Sequence, residues 1–172
     1  QAWYTDLAMA AGDRDWSIIG VSLRSGDVAH QMNPQDGLYT VTERSGEGAM
    51  TRIVGAVSHV LVAPAEPEAV IAALAAPHTR IASFTITEKG YCRGRDGNLD
   101  PALAGDESVY HYLAQGLRRR HDAGLSGLTL MSCDNLAENG PQFSRLMGEY
   151  LLRHDPALLG WFSAACTCPA TM

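Results

Sequence analysis

Apolar positions along the chain alternate between short continuous runs and stripes at helical spacing. Residues 16–23, Trp-Ser-Ile-Ile-Gly-Val-Ser-Leu, are nearly all apolar or β-branched and predict a strand buried on both faces. Leu38–Thr42 and Arg52–Val57 predict two more strands, with Ser45–Gly48 as the hairpin turn between them, and Val60–Val62 predicts a third. Arg80–Thr87 and Leu128–Met131 complete the set of strands. Helices are predicted where the spacing changes to 3.6. Ala2–Ala11 has Trp3, Leu7 and Ala10 on one side and stops at Gly12. Glu66–Ala75 opens near Pro67, where the missing donor costs nothing, and turns Val70, Ile71 and Leu74 inward. Glu107–Ala123 repeats Val109, Tyr112, Leu113 and Leu117 before Gly124. Gln142–Arg153 carries Phe143, Leu146, Met147, Tyr150 and Leu151 on one stripe. Pro156 breaks it, and a last helix runs from about Ala157 toward Cys166. Residues 92–105 are rich in Gly, Asp and Asn and read as a loop.

Strands alternating with helices predict an α/β domain with a mostly parallel sheet and helices on both faces. The 172 residues suit a single domain of ordinary size. No apolar run approaches the roughly 18 residues of a spanning helix, so a membrane role is not expected. A net charge of −6 argues against nucleic acid as a partner. The one basic run, Arg118-Arg119-Arg120, falls at a helix C-terminus, where cations suit the dipole. Of the four cysteines, Cys166 and Cys168 form a lone CxC with no second pair at zinc spacing. Free thiols in a reducing cytoplasm, and no metal, are expected.

Ligands of open α/β sheets bind beyond the carboxyl ends of the strands. Three such ends run into polar clusters: Arg24-Ser-Gly-Asp27, Thr87-Glu-Lys-Gly-Tyr91 and Ser132-Cys-Asp-Asn135. No GxGxxG occurs, so no glycine turn opens a helix to seat a pyrophosphate. Residue patterns by themselves leave a nucleotide site and ordinary strand-exit turns both open.

A resemblance goes further. Thr87-Glu-Lys-Gly-Tyr-Cys92 is similar to a T-E-G/K-G-Y segment, and Met131-Ser-Cys-Asp-Asn-Leu-Ala-Glu-Asn-Gly140 to the S-C-D-N-x-x-x-N-G segment, of the long-chain mannitol dehydrogenases and fructuronate reductases. Gln1-Ala-Trp-Tyr-Thr-Asp6 resembles the helix after that family's first glycine loop, and Gly20–Asp27 its second strand and the following turn. Cys168-Pro-Ala-Thr-Met172 resembles the lead into its V-D-R-I signature. The likeness runs over all 172 residues. It implies a partial Rossmann-like nucleotide-binding domain that lacks the family's first strand and glycine loop. A helical C-terminal domain bearing the catalytic lysine, with an asparagine and a histidine nearby, would lie outside the chain.

What the resemblance implies for function is an NAD-dependent oxidoreductase, with NADP possible. It would pass hydride between a polyol or aldonate and its ketose or keto-acid, as in D-mannitol and D-fructose. D-mannonate oxidation and a non-catalytic nucleotide-binding module are the alternatives. Asn135 matches the asparagine that holds the substrate oxygen, although an Asn there could instead cap the next helix. Glu88 is expected near the nicotinamide end, or else paired with Lys89 or Arg93. Asp27 is expected at the adenosine ribose; it stands as one carboxylate where many members have an acidic pair, and Arg24 is close in sequence. Asp134, Asn139 and Gly140 are expected to shape the turn and start the helix, and Tyr91 either to stack near the cofactor or simply to pack. Lys89 is the only lysine, so the chain by itself is expected to be inactive and to bind NAD weakly. Without the family's first strand, bare strand edges and the apolar Trp161 and Phe162 would favour strand re-pairing or a homodimer.

Overall fold

The computed structural model describes residues 2–46 and 48–172. Gln1 and Glu47, the latter in the expected hairpin turn, lie outside the described residues, as does the side chain of Trp3. The chain divides into two compact units, residues 1–67 and 68–172.

The first unit contains α1 (Ala2–Ala10), β1 (Ile18–Ser22), α2 (Asp27–Met32), a single 3-10 turn at Asn33–Gln35, β2 (Tyr39–Ser45), β3 (Gly48–Val54) and β4 (Val57–Val62). β1 and β4 pair in parallel, with Gly20 opposite Val60 and Ser22 opposite Val62. β2 and β3 form the expected antiparallel hairpin, Thr42 opposite Thr51. Asn33 completes β4 from outside the ladder. Its amide nitrogen donates to the Val60 carbonyl at 2.9 Å and its oxygen accepts from the Val60 N–H at 2.8 Å, as a neighbouring strand would. Gly37 makes this approach possible: it has φ +73°, and a Cβ there would stand 2.0 Å from the Val57 carbonyl oxygen.

β1 departs from expectation. Residues 18, 20 and 22 are half-buried, but Ile19 and Val21 remain 39% and 43% exposed. Side chains alternate between the two faces of the strand, and the face that bears Ile19 and Val21 is the less covered one, so the continuous apolar run is buried on one side only. α2 begins at Asp27, in the Ser25–Asp27 stretch, where a helix or turn can be capped. Leu7 and Ala10 of α1 are likewise exposed rather than turned inward.

The second unit follows with α3 (Pro67–Ala75), β5 (Ile81–Phe84), a one-turn α4 (Thr87–Gly90), α5 (Val109–Asp122), β6 (Thr129–Ser132), α6 (Asn139–His154) and α7 (Pro156–Ala165). β5 and β6 pair in parallel, Ala82 opposite Leu130 and Phe84 opposite Ser132. On its other side β6 meets Thr167, whose carbonyl accepts from Leu130 at 2.8 Å and whose N–H reaches Leu128 at 3.1 Å. The core of this unit joins Tyr110, Leu113 and Leu117 of α5, Leu130 of β6, and Phe143, Leu146, Met147 and Leu151 of α6. Leu113, Leu117 and the α6 residues lie on the helical stripes legible in the sequence, whereas Tyr110 joins this core from outside the expected stripe and Tyr112 is buried outside this cluster. Leu158 and Phe162 of α7 close the same core, Phe162 only 3% exposed. The expected exposure of Phe162 is thus overturned, and Trp161 is half-buried. α7 packs on α5 and α6, and its apolar side is spent there.

The strand expected over Arg80–Thr87 ends at Phe84, and α6 begins at Asn139, before the expected Gln142. Both differences have one cause, side-chain hydrogen bonds at the carboxyl end of β6. The fold is α/β and Rossmann-type, as expected; among the described residues the strands pair as three two-stranded ladders.

Candidate functional site

The ladder between β5 and β6 ends with the Cys133 N–H donating to the Phe84 carbonyl at 2.8 Å. Beyond it the β5 side is left with the N–H groups of Ile86 and Thr87. Both are taken by the Asp134 carboxylate, at 3.0 Å from Ile86 and 2.8 Å from Thr87. Asp134 is 5% exposed. Thr87 has φ +60°, a conformation that costs a β-branched residue about 1–3 kcal/mol unless its surroundings fix it. The chain therefore leaves the sheet sharply and forms α4, which carries Glu88.

Asp134 is itself supported. The buried Asn139 side chain donates to the Asp134 carbonyl at 2.9 Å and to the Ser132 carbonyl at 3.3 Å. The Asn139 oxygen accepts from the Thr171 N–H at 3.0 Å, and the Thr171 hydroxyl donates to the Ser132 carbonyl at 2.7 Å. Gly140 lets the 168–169 backbone lie directly on the helix: a Cβ there would meet the Pro169 carbonyl oxygen at 2.3 Å. Asp134, Asn139 and Gly140 do shape the turn and start α6, as expected.

Tyr91 is fully buried, its hydroxyl 2.5 Å from that of Ser132 and 3.4 Å from Asp134. Burial raises its phenol above the ordinary tyrosine value, the Ser132 hydrogen bond opposing this and the Asp134 charge adding to it. Stacking of Tyr91 on a cofactor is excluded, because the ring has no exposed face.

Asn135 and Glu88 stand at this same end of the ladder, each one residue beyond the clamp. Asn135 is exposed and is not the cap of α6, whose N-cap position is Glu138 with φ +52°. The helix-capping alternative for Asn135 is therefore removed. The Glu88 side chain is 79% exposed and lies 3.5 Å from the Arg93 guanidinium. A pair this exposed contributes at most about 1 kcal/mol, so it tethers Glu88 only loosely. Arg93 is in turn held by Gln142 at 2.9 Å.

Asp27 belongs to the other unit. It is the first residue of α2, exposed, and its carboxylate accepts from the Ser25 hydroxyl at 2.9 Å. The Ser22 hydroxyl ties the same turn by donating to the Ser25 carbonyl at 2.5 Å. Beside this turn lies a recess of about 390 Å³ whose lining includes Val21, Ser22, Val28, Met32, Tyr39 and Val60. Its floor is mostly apolar, and Asp27 directly precedes the lining residue Val28.

The basic run stands toward the C-terminal end of α5, as expected, and its members have partners of their own besides. Arg118 forks onto Asp155 and Arg119 onto Glu68, while Arg120 is buried and donates only to backbone carbonyls. All four cysteines are free; burial raises the thiols of Cys92, Cys166 and Cys168 above their ordinary range. Sequence reasoning did not anticipate the αL turn at Thr87 or the Thr171 clamp. Neither leaves a local signal, since each depends on a partner more than 30 residues away.

The whole chain, residues 1–172, matches the family model described as the mannitol dehydrogenase Rossmann domain. It is 40% identical to the polyol:NADP oxidoreductase of Gluconobacter oxydans (strain 621H), over 92% of this chain and 36% of that protein. It is 34% identical to the D-mannonate oxidoreductase of Escherichia coli (strain K12), over 100% of this chain and 38% of that one. Its fold superposes with a TM-score of 0.86 on Pseudomonas fluorescens mannitol 2-dehydrogenase in a ternary complex with NAD and D-mannitol. That match covers 98% of this chain and 37% of the other, at 34% identity. The chain thus spans a little over a third of the length of the relatives it matches.

Proposed function

The chain belongs to the mannitol dehydrogenase family, as its Rossmann domain, and from that premise we propose that it is the nucleotide-binding part of an NAD-dependent polyol or aldonate dehydrogenase. The observation that supports the proposal is the end of the β5–β6 ladder, where Asp134 bonds Ile86 and Thr87, so that a neutral amide, Asn135, and a carboxylate, Glu88, each follow a clamped residue. NAD, when bound, accepts the hydride from the alcohol carbon. The Asn135 amide would donate to the substrate oxygen, on which charge changes as hydride moves; a neutral donor serves both the alcohol and the carbonyl. Glu88 would orient a ribose hydroxyl or water at the nicotinamide end.

The residues present also fit the adenosine end of the cofactor. The apolar recess beside Val21 and Val28 suits a purine, and the Asp27 carboxylate suits ribose hydroxyls. A lone carboxylate disfavours a 2′-phosphate less than a pair would. NAD is the reading, and the NADP-linked relative keeps NADP as its competitor. The relative that acts on D-mannonate favours an aldonate as the alternative to D-mannitol. The protein would work in the cytoplasm on small diffusible substrates. Lys89 is exposed on α4 and is not proposed as the base. Catalysis would need residues beyond these 172, and the chain alone would self-associate, most simply as a twofold dimer.

The test is reduction of NAD by D-mannitol and D-mannonate with a protein carrying this domain in full length. Asn135→Ala is expected to lower kcat by about 10²–10³ with NAD affinity nearly unchanged. Full activity of that variant, or turnover by the 172-residue chain alone, would refute the assignment.

A further inference from the structure

The two groups proposed to work at the ladder's end have little support of their own. Glu88 is mostly exposed with one loose ion pair, and Asn135 is exposed. Their backbones, however, are joined through one side chain. Asp134 precedes Asn135 directly, and its two carboxylate oxygens accept from Ile86 and Thr87, the residues just before Glu88. From Asp134, then, a single peptide unit leads to each candidate group. The Asp134 backbone is fixed in turn by Asn139, which is itself tied to Thr171.

We infer that Asp134 is a positioning residue for hydride transfer: its buried carboxylate replaces the missing rungs of the β5–β6 ladder and holds the exits of both strands, and so Glu88 and Asn135, as one rigid piece. The inference rests on the dehydrogenase reading given above. A carboxylate is required because two N–H groups must be accepted at once, and an amide can accept with only one of its two ends. The left-handed Thr87 is the second requirement. Without both hydrogen bonds the turn has no reason to keep that conformation, and it relaxes toward an extended strand exit. Asp134 touches neither substrate nor cofactor in this scheme and acts through the placement of its neighbours.

The test uses Asp134→Asn in the full-length enzyme that carries this domain. Amide hydrogen exchange over residues 85–90 is expected to speed up at least about tenfold as the Ile86 and Thr87 bonds are lost. Single-turnover hydride transfer is expected to fall about 10- to 100-fold, the effect of a misplaced reacting group. The deuterium isotope effect on kcat should rise, while the Kd for NAD stays within about twofold. A merely stabilising role would move the melting temperature and leave the isotope effect unchanged. If Asp134→Asn does not fold, Thr87→Pro serves instead. It removes one of the two donors and forbids the left-handed φ at an exposed position, with the same kinetic signature expected. Unchanged exchange over 85–90 would overturn the clamp. Loosened exchange with normal hydride transfer would overturn the positioning role. An unsubstituted enzyme inactive on every polyol and aldonate would instead overturn the functional reading, and the exchange measurement would still decide the clamp.

Discussion

Arg120 is the most exacting place to perturb this fold. It is 1% exposed at the end of α5 and has no carboxylate partner among the described residues. Its Nε donates to the Ser126 carbonyl at 2.8 Å, and its Nη1 to those of Ala76 at 2.7 Å and Leu74 at 3.2 Å. Those carbonyls terminate α3 and the turn that follows α5, so one guanidinium satisfies the ends of two elements. Burial pulls its pKa below the ordinary arginine value, opposed in part by the nearby Cys166 thiol. Replacing it by Met keeps the apolar stem in place and removes all three donors. The Ala76 carbonyl keeps the Thr79 N–H at 3.0 Å, whereas stranding each of the other two costs about 1–3 kcal/mol. Relief from burying a charge returns several kcal/mol, which cancels part of that loss. A net destabilisation of about 3 kcal/mol is expected, equivalent to about 6–12 °C in Tm for a chain of this size. Arg120→Lys, a point charge that cannot fork, should lose roughly half as much. The assay is urea unfolding followed by far-ultraviolet circular dichroism, comparing midpoints at constant m. An Arg120→Met variant within about 0.5 kcal/mol of the unsubstituted protein would show that the desolvation cost outweighs the three bonds, and the reasoning would fail.

Two further outcomes are expected. Gly140→Ala should destabilise by about 2–3 kcal/mol, because its Cβ would meet backbone oxygens of Pro169 and Cys168. Helix propensity alone predicts a gain of about 1 kcal/mol, so the sign of the urea shift decides between them. Burial raises the phenols of Tyr91, Tyr110, Tyr112 and Tyr150. A group whose folded pKa is raised stabilises fully below its unfolded value, about 10, and loses that contribution as pH rises toward the folded one. Stability should therefore fall from about pH 10 upward. Phenolate absorbance of these four should emerge together with unfolding; their titration in a still-folded chain would contradict this.

The sequence by itself determined the element types and most of the second unit's core. Val109, Leu113 and Leu117, and then Phe143, Leu146, Met147 and Leu151, are spaced at the helical period, and a stripe that can be buried on one side dictates its own secondary structure and inward face. The motif Ser132–Gly140 likewise announced the turn that Asp134 and Asn139 shape, and the roles proposed for Asn135 and Glu88 come from the resemblance carried by their strings. Tertiary structure decided whatever depended on a partner distant in the chain. The apolar run at Ile18–Ser22 could not reveal that Ile19 and Val21 would stay exposed, because a run of apolar residues carries no record of how many neighbours its strand obtains. Nor could Phe162 declare that α5 and α6 would cover it. The end of β5 at Phe84, the left-handed Thr87 and the early start of α6 all follow from Asp134 and Asn139. Their hydrogen bonds reach from residue 134 back to residue 86 and from residue 139 forward to residue 171. A side chain that accepts backbone donors across such a separation competes with the strand's own ladder, and only the folded arrangement settles which one takes the N–H.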